Sequence, residues 1–134
     1  MINEVIYGEA EMDQVELKRR TKRLALRVMK MVGGLPSDSV GRAISSELVR
    51  SRTAVGANYR AACRGKSKSE FVAKLGVVIE EADESGDWIE LIIEGGLLPR
   101  EKVETLLDEA NQLTAIMVAS RKSARQSIID KKRN

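Results

Sequence analysis

The chain has 134 residues, 43% of them hydrophobic and 32% charged, with a formal net charge of +3, which suits one domain spanning residues 1–134 around a single core. It contains no histidine, so the usual general base, the Ser-His-Asp and Cys-His nucleophile systems and the Glu-x-x-His pattern of di-iron bundles are excluded. Its one cysteine, Cys63, excludes an intrachain disulfide and a multi-cysteine zinc site.

The first helix is expected over about residues 11–32. Leu17, Thr21, Leu24, Val28, Met31 and Leu35 recur in steps of four and three, a heptad-like seam. Gly33-Gly34 and then Pro36 stop it. A second helix over about 38–64 is capped by Ser37, Asp38 or Ser39 and turns Val40, Ile44, Leu48, Ser51, Val55, Tyr59 and Ala62 inward. In the third, about 68–94, Ser67 and Glu70 have the spacing of a capping box. Phe71, Leu75, Val78, Ala82, Ser85, Ile89 and Ile92 form its seam, and Gly95-Gly96 closes it. The last helix, about 99–129, opens at Pro99 and carries Val103, Leu106, Ala110, Leu113, Met117 and Ser120 inward, with a fraying "KKRN" end. No strand pattern competes. Short connections between four such helices give an all-α, antiparallel up-down-up-down four-helix bundle. The alternative is a pair of long helical hairpins that complete a core only on oligomerising.

The second helix holds Gly56, which costs about 1 kcal/mol relative to alanine in a helix interior. Close approach of a neighbouring helix would offset that. Asn58 then lies beside the seam, where an unpaired amide costs roughly 1–3 kcal/mol. It is expected to bond Glu80, Glu81 or Glu84, or a backbone group, making these a register-setting polar core. The alternative is a small polar pocket.

Charge is segregated. Residues 18–30 carry seven basic and no acidic side chains, whereas residues 80–94 carry seven acidic and no basic ones. Arg50, Arg60 and Arg64 share one side of the second helix, and Arg19, Arg23 and Arg27 share one side of the first. Such fixed cations neutralise phosphates without reading bases, or pair with the acidic helix. Glu80, Glu84 and Asp87 share a helix side and tempt toward a divalent-metal site, but with basic neighbours ion pairing is the expected use, so no metal and no cofactor are assigned. Trp88 beside glutamates reads as a helix-junction or subunit contact. Cys63, between Arg60 and Arg64, reads as a buried filler rather than an activated thiol.

The stretches "RRTKRLALRV", "LVRSRTAVGANYRAACRGKSKSEFVAKLGVVIEEADES" and "DWIELI" resemble the bacterial four-helix bundle proteins, a family that includes the 23S rRNA intervening-sequence proteins. Accessory proteins of diversity-generating retroelements are similar. The resemblance covers about residues 17–120 and implies a homopentameric ring, a basic surface that engages nucleic acid and no catalytic activity. Arg52 and Ala54 depart from its usual small pair around Thr53, and Gly86-Asp87 stands where an aromatic commonly precedes the tryptophan.

The expectation is therefore a non-enzymatic, cytoplasmic homo-oligomer, with no signal peptide and no membrane segment. RNA or DNA backbone would be bound through Arg19, Arg23, Arg27, Arg50, Arg60 and Arg64. The alternative is a structural or protein-interaction ring whose basic and acidic sides pair across subunits.

Overall fold

The computed structural model describes residues 4–7 and 10–133. Four helices account for most of them: α1 (Gln14–Val32), α2 (Ser39–Cys63), α3 (Lys68–Glu94) and α4 (Arg100–Arg133). A short antiparallel hairpin precedes them, β1 (Glu4–Tyr7) and β2 (Ala10–Asp13), in the register Glu4↔Asp13 to Tyr7↔Ala10. Periodicity did not reveal this hairpin. It moves the start of α1 three residues past the expected Glu11, because Asp13 ends β2 and its carboxylate accepts the Glu16 N–H at 2.8 Å.

Each helix packs against its sequence neighbours and α1 closes onto α4, so the helices run up, down, up and down. β1 lies along α4 and β2 along α1. Two glycines make the corners. A Cβ at Gly41 would fall 1.8 Å from the Pro36 carbonyl oxygen, so the first turn of α2 folds back on the preceding loop only with glycine there. Gly96, at φ +65°, lets the Leu97 N–H return to the Ile92 carbonyl at 3.0 Å, a Schellman-type closure of α3. α4 continues as helix to Arg133, past the expected end near residue 129, with Gln126 donating to Asp130 one turn on; Asn134 of the "KKRN" end lies outside the described residues.

The seam residues form an aliphatic core, with Tyr59 and Phe71 as its fully buried aromatics. Val40 is a correction: it sits 53% exposed in the first turn of α2, outside the interface that begins at Ile44. Gly56 is another. A Cβ there would sit 3.4 Å from Thr21 Oγ1, an ordinary contact, so helix approach does not demand glycine at this position.

The polar core also differs from expectation. Asn58 is half-buried and makes no side-chain hydrogen bond among the described residues, while Glu80 is exposed and Glu81 and Glu84 lie at the surface of α3. Water reaches the edge of the seam, so the amide needs no protein partner. The interior polar residue is Arg52, which is 0% exposed. Its Nη1 donates to Ser85 Oγ at 3.2 Å, and Ser85 Oγ donates to the Ala82 carbonyl at 3.0 Å. Arg52 Nε and Nη2 have no hydrogen-bond partner among the described residues.

Candidate nucleic-acid interface

The alternation of helix direction gathers separate charge blocks at one end of the bundle. The N-terminal half of α1, the C-terminal part of α2, the start of α3 and the C-terminal part of α4 all lie there. Residues 14–23, 56–76 and 118–133 hold sixteen basic and three acidic side chains, and the hairpin that leads into α1 at this end adds the acidic Glu4, Glu11 and Asp13, whereas residues 24–55 and 77–117 hold seven basic and thirteen acidic. The bundle is thus polarised along its axis, with a cationic end and an anionic end.

At the cationic end, Arg23, Arg60 and Arg64 are exposed and make no ion pair among the described residues. Arg19 is exposed but pairs with Glu16 at 2.6 Å, one turn back. That bond holds the Glu16 carboxyl below its ordinary value, and an exposed pair of this kind opens readily to a competing phosphate. On the adjoining α3–α4 face, Arg121 lies across Gly76 and donates from Nε to the Val72 carbonyl at 3.0 Å. With Lys122 and Arg125 it borders a groove of about 450 Å³ floored by Ile79, Val118 and Ile129. Lys68 donates to Ser127 Oγ across the same two helices. The sequence reading missed Arg121 and Arg125. Their signal was the basic end of α4, which joins the others once that helix runs antiparallel to α3.

Two of the six arginines read from sequence lie elsewhere. Arg50 on α2 is held by Glu47, Glu81 and Glu84, with Arg50–Glu81 at 3.2 Å, and the Glu84 bond, with a smaller effect of Glu81, raises its pKa. Glu84 also accepts from Trp88 Nε1 at 3.3 Å, so Trp88 is tied to this α2–α3 ion cluster. Arg27 lies half-buried in the anionic half, donating to Thr105 Oγ1 at 3.2 Å. The structure therefore places Arg19, Arg23, Arg60 and Arg64 toward the same end of the bundle, and Arg27 and Arg50 toward the other.

Cys63 is buried, and burial pushes its thiol pKa up, against the smaller opposing effects of Tyr59, Lys18 and Arg64. The thiol therefore stays protonated at neutral pH. The buried Tyr59 hydroxyl has no oxygen or nitrogen partner among the described residues and faces this thiol, a weak acceptor. Among the described residues no three His, Cys, Asp or Glu side chains converge as metal ligands, and no helix is long and apolar enough to cross a membrane.

A solved structure from Bacteroides thetaiotaomicron, described as a protein of unknown function from the S23 ribosomal protein family, is similar to this chain. The two share 26% identity and a TM-score of 0.70, covering 76% of this chain and 94% of that one. No curated protein matches. The model of the family described as 23S rRNA-intervening sequence protein matches residues 13–119, from the α1 cap through most of α4. With four antiparallel helices and a family match over most of its length, the chain belongs to the 23S rRNA-intervening sequence protein family.

Proposed function

We propose that this protein is a non-enzymatic helical module that binds the phosphate backbone of RNA through its cationic end. The observation that carries the reading is the basic excess at one pole, where four helices bring sixteen basic and three acidic side chains and the adjoining hairpin adds three acidic ones. Cations spread over several rigid elements neutralise adjacent phosphates and release counterions, which yields affinity with little sequence preference. The family name ties its members to an intervening sequence of 23S rRNA, which makes RNA the first polyanion to test.

The test is a titration of a 20-base-pair RNA duplex at several salt concentrations. Affinity is expected to fall steeply with salt, the slope of log K against log salt changing by about 0.9 for each phosphate contacted on B-form DNA and by a similar amount here. Arg60→Glu with Arg64→Glu should weaken binding and flatten the slope, while the helical content is kept. A flat slope in the unaltered protein, or no binding at low salt, would refute the reading.

A second reading is self-association, supported by two outward stripes. On α1, Val15, Arg19, Lys22, Leu26 and Met29 are exposed in steps of four and three. On α3, Val77, Glu80, Asp87 and Leu91 are exposed along one side. One stripe is cationic and the other acidic, each interleaved with apolar residues. They lie on diagonally opposed helices, so the contact they favour is head-to-tail, which closes into a ring or extends as a filament. The homopentamer is one such closure. Light scattering and RNA titration on Leu26→Glu, in the α1 stripe, beside the Arg60/Arg64 variant separate the readings: assembly lost in Leu26→Glu favours the structural ring, and intact assembly with lost RNA binding in the Arg60/Arg64 variant favours the first.

A further inference from the structure

Between the last turns of α1 and the first turns of α4 lies a cleft of about 550 Å³, within the range of small-ligand sites. Its floor is apolar, made by Met31, Leu98 and Leu106, and its rim carries Arg27, Lys30 and Lys102. None of these three cations makes an ion pair among the described residues, although Glu101 and Glu104 flank Lys102 in sequence. The Arg27 guanidinium is already placed, its Nη2 donating to Thr105 Oγ1 at 3.2 Å and its other N–H groups left for a ligand.

The location sharpens the chemistry. The cleft belongs to the anionic half of the bundle, where thirteen acidic side chains face seven basic ones. Of those seven, Arg50 is bound by glutamates, Arg52 is buried, and Arg42 and Arg100 do not line the cleft, so three cations without an ion pair among the described residues gather here. A polyanion laid here would run onto carboxylates beyond the rim. A single anionic head would not, because repulsion between exposed charges is screened over about 8–10 Å in physiological salt.

We propose that this cleft binds a small organic phosphate, a phosphate monoester on a flat apolar body, with a nucleoside monophosphate as the form that fits. Three cations offset a dianionic head: Arg27 supplies directed donors, and Lys30 and Lys102 supply mobile point charges. Met31, Leu98 and Leu106 cover one face of the base and remove apolar area from water. The site is independent of the RNA-binding reading, because it lies in the opposite half of the bundle and uses none of Arg23, Arg60 or Arg64.

The experiment is calorimetric titration of the full chain with adenosine monophosphate, inorganic phosphate and adenosine in parallel. Saturable binding of the nucleotide is expected, with each fragment weaker by at least about tenfold, since head and body each contribute. Lys102→Ala and Arg27→Ala should each weaken nucleotide binding several-fold without lowering the melting temperature, and Lys102→Ala should leave the RNA titration unchanged. Arg60→Glu with Arg64→Glu should leave nucleotide binding intact. Equal affinity for phosphate and nucleotide would overturn the proposal. So would binding that survives Arg27→Ala and Lys102→Ala but is lost in the Arg60/Arg64 variant, which would assign the phosphate to the cationic end.

Discussion

Arg52 carries a charge into a core otherwise built mainly from aliphatic side chains. Burial lowers its pKa to about 10, which still leaves it protonated at neutral pH, and the nearby Glu109 favours the charged form. The parallel Nε and Nη2 donors of an arginine are the pair that grips a carboxylate edge-on, as Arg20 does with Glu109, its Nε to Oε2 distance being 3.0 Å. In Arg52 this same pair is the one left without a hydrogen-bond partner among the described residues. Two arginines therefore draw on one carboxylate, and Arg20 holds it. Replacing the buried charge by a flexible apolar side chain relieves unmet donors that cost about 1–3 kcal/mol each. Arg52→Met is expected to stabilise the fold by about 1–3 kcal/mol in thermal or urea unfolding, whereas Glu109→Gln should destabilise it by removing the one compensating charge. A lower melting temperature for Arg52→Met would show that the guanidinium contributes more through packing than it costs. The sequence concealed this residue because an arginine beside a seam reads as a surface cation. Ser85 on the facing helix, small and buried, was the sign that room existed for it. Asn58 drew attention instead, at a position where solvent satisfies it.

The start of α3 shows how closely local chemistry can be read, and where reading stops. Ser67 accepts the Glu70 N–H at 3.1 Å, as the capping-box spacing implies. The return bond goes one residue further out, from the Lys66 N–H to Glu70 Oε2 at 2.8 Å, and Lys74 adds an ion pair. The Lys66 backbone bond is the main reason the Glu70 pKa lies below its ordinary 4.5. A carboxyl depressed in the folded state contributes stability above its unfolded pKa and loses it as pH falls through the folded value. Unfolding of the native chain and of Glu70→Gln should therefore differ at pH 7 and converge in acid, once the carboxyl is protonated in the folded state as well. An equal difference at neutral and acid pH would assign the effect to packing. Helix seams were legible because a heptad repeat sustained over three or more turns has few alternatives. The hairpin was not, since two four-residue strands are too short for an alternation to register. The added turn of α4 carries basic residues that suit a helix C-terminus.

For the molecule as a unit, the charge blocks were plain in the sequence, but their meaning depended on direction. Only when successive helices reverse do the basic start of α1, the end of α2 and the end of α4 coincide, while the acidic part of α3 falls at the far end. Reading arginines by the face of a single helix placed Arg27 and Arg50 with the others. Position along the axis separates them, and the Glu47–Glu81–Glu84 cluster occupies Arg50. Distribution along the axis also leaves the outward stripes of α1 and α3 free to meet between copies. Leu26→Glu puts an acidic group in the middle of the cationic stripe opposite an acidic partner, so it should shift light scattering toward the monomer while the melting curve of the bundle stays within about 0.5 kcal/mol of the native one. Unchanged scattering would exclude α1 as a subunit contact.

β1 packs against α4 and β2 runs into α1, so the hairpin and the C-terminal part of α4 share the cationic end. A purification tag or fused domain at either end would therefore crowd the proposed RNA surface, and a polyhistidine tag would add its own affinity for phosphate. The α1–α2 loop around Ser37 lies across the 19-residue length of α1, about 28 Å away, and is the attachment point that leaves that surface open.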